Sequence, residues 1–112
     1  MPQISLAMTF KVLVSTGLFL VVMHMLQILA WAITYLLVLP EGELHSLEKA
    51  MYFSFVTFTT LGYGDITLSE GWRMLSGIQA TNGILLIGWS TAVLFAIVQR
   101  IWTRQAETNS GE

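Results

Sequence analysis

The chain has 112 residues, of which 54% are hydrophobic and only 11% charged; this balance places it among membrane proteins and excludes a small soluble domain with a polar exterior. A formal net charge of −2 offers nucleic acid nothing to hold, and the absence of cysteine excludes a disulfide framework, a thiol nucleophile and a zinc-finger spacing. His24 and His45 stand far apart and outside any nucleophile or metal constellation, so neither an enzyme nor a cofactor is expected.

Residues 1–10 form a short, mildly apolar lead, followed by Lys11. Residues 12–39 carry no formal charge, and a helix of that length exceeds the roughly 30 Å hydrocarbon slab, which predicts a first transmembrane helix over 12–39. His24 and Gln27 lie near its middle, where a polar side chain is costly unless it faces a partner helix or water. Two readings stand for His24, a hydrogen bond to the neighbouring helix, the plainer one, and a proton sensor.

Pro40 ends that helix, and Glu41, Gly42, Glu43 and His45 make a polar connection too short to be a domain. Ser46 has the side chain of an N-cap, and Glu48 falls in the first turn, where the helix dipole favours an anion. A second helix is therefore predicted over 46–59. At about 20 Å it is too short to span, so it must re-enter and return the chain to the side it came from, with its negative carboxyl end aimed inward. Its aromatic run, Tyr52, Phe53, Phe55 and Phe58, reads as packing.

Then comes Thr59-Thr60-Leu61-Gly62-Tyr63-Gly64-Asp65, a polar, glycine-bearing run between two apolar segments. Irregular backbone at membrane depth is tolerated only where protein buries it or water lines it. Gly62 and Gly64, at alternate positions, reach positive φ without steric penalty and let successive carbonyl oxygens turn to one side. With the Thr60 hydroxyl at its inner end, such a ladder replaces the water shell of a cation.

Residues 66–70 read as a short outer loop, and a second transmembrane helix is predicted over 73–102, with Trp72 suited to the interfacial belt. Arg100, Trp102 and Arg104 mark its inner boundary and, with Lys11, put both termini on the cytoplasmic side. Gly77, Gly83 and Gly88 serve either flexibility or close packing. Gln79 and Asn82 are expected to face the first helix near His24, and residues 105–112 read as a disordered polar tail. The outer acids Glu41, Glu43, Glu48, Asp65 and Glu70 either concentrate cations or form a solvated surface. No segment carries the regular arginines of a voltage sensor.

The run TTLGYGD, with its threonine pair, its aspartate and its flanking hydrophobic helices, resembles the signature filter of potassium channels, whose common form has Val at the place of Leu61. The resemblance extends over residues 10–104 and is nearest in layout to the two-transmembrane, one-pore-loop bacterial type. It implies an all-α membrane protein in which two transmembrane helices flank a re-entrant pore helix (46–59) and a selectivity filter (60–65). Because one strand cannot close a ring of carbonyls, it also implies a homotetramer, set in the lipid bilayer of a plasma or bacterial inner membrane. K+ is then the transported substrate, coordinated by Thr60, Leu61, Gly62 and Tyr63 with Gly64 completing the run, and supported by Thr59, Asp65, Tyr52 and Val56. Gly83 falls where the family has its inner-helix hinge, and Ile84, Ile87, Thr91 and Phe95, which share one helical face, fall at cavity-lining places.

The support shell departs from the family. Tyr52 and Phe53 stand where many relatives carry a tryptophan pair, and Val56 stands where some have a glutamate paired with the filter aspartate. Neither Val56 nor Phe53 offers a side-chain hydrogen bond, while Tyr52 is a candidate partner for Asp65, and this shell predicts bracing that is more apolar than hydrogen-bonded. Two alternatives to a potassium-selective pore follow: a weakly selective cation channel, and a non-conducting subunit that regulates a channel assembly.

Overall fold

In the computed structural model, which describes residues 6–111, the side chain of Thr108 excepted, three helices follow one another: α1 (Leu6–Val38), α2 (Leu47–Phe58) and α3 (Arg73–Ser110). At 1.5 Å per residue α1 is about 50 Å long and α3 about 57 Å, and both are apolar enough to cross a bilayer.

Each helix end has a local cause. α1 stops at Val38, two residues before Pro40, with Leu39 N–H still donating to the Tyr35 carbonyl at 2.9 Å. Ser46, in extended backbone, caps α2 by accepting from Lys49 N–H at 3.2 Å, and Glu48 occupies the first turn. Two ends differ from the sequence expectation. α1 is already helical at Leu6, the first described residue, rather than starting at residue 12, and so takes in Lys11, because extending an existing helix adds a hydrogen bond for each residue fixed. α3 continues to Ser110, so the stretch expected to be disordered from 105 is helical up to Gly111; Arg104, Gln105, Ala106 and Glu107 all favour helix, and no breaker precedes the glycine.

The chain divides into two compact units, one formed by Met23–Ile87 and the other by the remaining parts of α1 and α3. In the second, Lys11, Arg100 and Arg104 stand exposed. The first has a small core of Ala32 and Tyr35 from α1, Ala50 and Phe53 from α2, and Leu39, Leu44 and Leu68 from the connections. The Tyr35 and Phe53 rings meet edge to face at 5.4 Å, an arrangement that aromatic quadrupoles favour.

Two fully buried polar residues, Ser54 and Gln79, sit in this unit and join its three helices. Tyr35 Oη donates to Gln79 Oε1 at 2.5 Å, and Gln79 Nε2 donates to the Ser54 carbonyl at 3.1 Å and to Ser54 Oγ at 2.7 Å. Ser54 Oγ in turn donates to the Ile28 carbonyl at 2.7 Å. Gln79 thus faces the first helix as expected, at Tyr35 rather than near His24, and α2 as well. His24 Nδ1 lies 2.9 Å from Gln27 Oε1 on its own helix, and its ring packs 5.8 Å from that of Phe58 on α2.

Candidate functional site: the segment after α2

α2 delivers the 59–65 segment through a Schellman ending. Thr60 N–H donates to the Thr57 carbonyl at 3.0 Å and Leu61 N–H to the Val56 carbonyl at 3.0 Å, the 5→2 and 6→1 bonds of that motif, and Gly62 N–H adds a longer bond to Val56 at 3.3 Å. The motif demands a left-handed residue at the position of Thr60, a place glycine normally takes. Thr60 has φ 61°, and it is the one non-glycine residue with positive φ among those described. A β-branched residue in this conformation costs about 1–2 kcal/mol.

Beyond the cap the left-handed state recurs at every second residue, with Gly62 at φ 58° and Gly64 at φ 82°, while Leu61 and Tyr63 between them do not share it. The glycine pair is where the sequence places it; the third member, Thr60, escapes sequence reading because its side chain argues against a conformation that the helix ending imposes. All residues from Thr59 to Asp65 are exposed in the single chain, with Leu61 at 55% and Tyr63 at 68%.

The structure brings the expected support residues to this segment. Tyr52 Oη donates to Asp65 Oδ2 at 2.7 Å, and that bond to a carboxylate holds the phenol above its ordinary pKa. Val56 is buried and acts through its carbonyl, the shared acceptor for Leu61 and Gly62; its side chain borders a cleft of about 460 Å³ that Tyr52, Thr57, Asp65, Arg73 and Ser76 also line. Thr59 Oγ1 turns back to donate to the Phe55 carbonyl at 2.9 Å.

A further anchor has no counterpart in the sequence reading. Both carboxylate oxygens of Glu43 are engaged by Ser69, Oε2 by its N–H at 3.1 Å and Oε1 by its hydroxyl. The connection before α2 is thereby tied to the loop after Asp65. The acids of this region are therefore not one solvated set: Glu43 is a tether, and Glu70 pairs at 3.6 Å with Arg73 on the surface.

Gly83, read as hinge or packing residue, is buried against α2. A Cβ built on it would lie 2.0 Å from the Phe58 carbonyl oxygen and 2.8 Å from its carbon, so the missing side chain is what admits the α2 backbone. α3 runs through this position unbroken. Ile84, Ile87, Thr91 and Phe95 are exposed along α3 in the single chain. Among the described residues, no group of three or more metal-ligating side chains comes together.

Two helices long and apolar enough to cross a bilayer, by length and composition, flank a short helix and an exposed, non-helical segment along the chain. The sequence profile of a family described as ion channel matches residues 12–100, and the chain belongs to this family of two-transmembrane, pore-type channels. Membership supports an ion-channel function in a membrane. No curated protein and no solved structure matches the chain.

Proposed function

We propose that the protein is a potassium-selective channel, a homotetramer in which four copies of the 60–64 segment surround an axis, with α2 as the re-entrant pore helix and both termini cytoplasmic. The observation that carries this reading is the alternation of left-handed residues at Thr60, Gly62 and Gly64. Alternating backbone handedness turns successive peptide units the same way, and the N–H groups of Thr60, Leu61 and Gly62 are already directed at α2, so the carbonyls of Thr60, Leu61, Gly62 and Tyr63 are the atoms left to replace water around K+.

Thr60 supports the same reading. Glycine would satisfy the Schellman ending with less strain, so a threonine there makes sense if its hydroxyl is needed, as the innermost ligand of the ring. Leu61 and Tyr63, more than half exposed in one protomer, acquire cover from neighbouring copies. The negative end of α2 adds to the attraction for a cation.

Liposomes containing only this protein test the proposal. Potassium flux together with a reversal potential near that of K+ in mixed K+ and Na+ solutions is expected. A reversal potential indifferent to the K+ gradient would make it a weakly selective cation channel, a reading to which Leu61 in place of valine lends itself. Absence of any flux from correctly assembled protein would make it a silent regulatory subunit.

A further inference from the structure

We propose that Gln79 is a positioning residue for ion selection, which rests on the channel reading above: its amide sets the depth and rotation of α2 and so the geometry of the segment that α2 carries. The side-chain hydrogen bonds of Gln79 go to Tyr35 and Ser54, not to 59–65. It acts through Ser54, which stands two residues before Val56, the residue whose carbonyl receives Leu61 and Gly62.

Packing alone does not require an amide here. A leucine or methionine would fill similar space without burying polar atoms, whereas Gln79 is fully buried and needs the complete set of partners it has in Tyr35 and Ser54. What an amide adds over an apolar side chain is direction. Its acceptor end is aimed at α1 and its donor end at α2, and no buried side-chain polar atom among the described residues lacks a partner. Gln79 and Gly83 are four residues apart on α3, and their contacts Ser54 and Phe58 are four apart on α2, so a directional clamp and a close backbone approach lie one turn from each other along the same seam.

The test exploits the donor end. In Gln79→Glu a protonated carboxyl still donates to Ser54 and accepts from Tyr35, whereas an ionised one confronts the Ser54 carbonyl with no proton between them; burial raises the pKa of such a carboxyl toward neutrality or above. The readout is the K+ to Na+ permeability ratio from reversal potentials, which does not depend on how many channels have folded. Wild type measured at each pH is the reference. At about pH 5.5 the variant should match wild type, and at about pH 8.5 its ratio should fall at least about fivefold while wild type holds. Tyr35→Phe, which removes only the hydroxyl aimed at Gln79, should lower the ratio at both pH values and decides the matter if the glutamate variant is silent.

A conducting Gln79→Glu channel with the wild-type ratio at both pH values would overturn the assignment, as would a wild-type ratio in Tyr35→Phe if the glutamate variant is silent. Wild-type protein that passes no ions defeats the channel reading itself, whereas conducting wild type with indifferent variants defeats only the role given to Gln79.

Discussion

Replacing Gly83 by alanine separates the two roles a glycine can have in α3. The added Cβ would lie 2.0 Å from the Phe58 carbonyl oxygen, and Cβ contacts under 3.0 Å are essentially never seen, so the helices must part by 3.0 − 2.0 = 1.0 Å or more at this point. The obstacle is main chain at the last residue of α2 and cannot rotate aside. Overpacking of this kind costs about 1–3 kcal/mol, and an unyielding backbone contact belongs at the upper end. Alanine recovers about 1 kcal/mol of helix propensity, which leaves a net loss of roughly 2 kcal/mol. Thermal unfolding of the detergent-solubilised protein measures the loss, with Gly77→Ala as the control, since nothing lies within 4 Å of a Cβ there. Displacement of Phe58 also moves Thr59 and Thr60, so the K+ to Na+ permeability ratio should fall in the same variant. A Gly83→Ala protein with wild-type stability and ratio but altered opening rates would refute the argument and restore the hinge.

Val56→Glu places a carboxyl in the cleft beside Asp65, where two like charges resist joint ionisation; slow inactivation should change, and identical recordings before and after would end the idea that apolar contact braces this segment. Tyr52→Phe removes the hydroxyl bound to Asp65 and should speed inactivation with little effect on thermal stability, because the pair is exposed. The sign of the pH effect follows from the raised phenol pKa: the bond's contribution is complete below the ordinary phenol value of about 10 and is lost only as pH rises past the higher folded value, so from neutrality to pH ~9 inactivation should not vary through this pair. Thr60→Gly relieves a left-handed threonine and should raise stability by up to about 1 kcal/mol while lowering K+ conductance through loss of the hydroxyl; unchanged conductance would remove Thr60 Oγ1 from the ion path.

The local features of this chain were legible residue by residue. Pro40, Ser46 and Glu48 announce where one helix ends and the next begins, and Gly62 and Gly64 announce the alternating backbone, because each acts through its own φ, ring or side chain. What escaped depends on a distant partner. Gln79 reads as a polar residue on an apolar helix, and nothing nearby reveals that Tyr35 and Ser54 await it. Gly83 reads equally well as a hinge, since the carbonyl that fills its space belongs to Phe58. Glu43 looks like one acid among several until Ser69 is seen to hold both its oxygens. The length of α3 has a simpler cause: residues 103–110 contain no stop signal, and polarity alone does not end a helix.

The meeting of Ser54 and Phe58 with Gln79 and Gly83 also bears on how far one helix can slide along the other. Shift α3 by a turn in one direction and the bulk of Ile87 arrives where only a hydrogen atom fits; shift it the other way and the side chain of Gln79 itself is driven into Phe58. Either step strands the amide away from Ser54. The pair therefore behaves like a key cut for a single notch, and changes in the length of the loop that joins them should be absorbed by that loop without altering how the helices mesh.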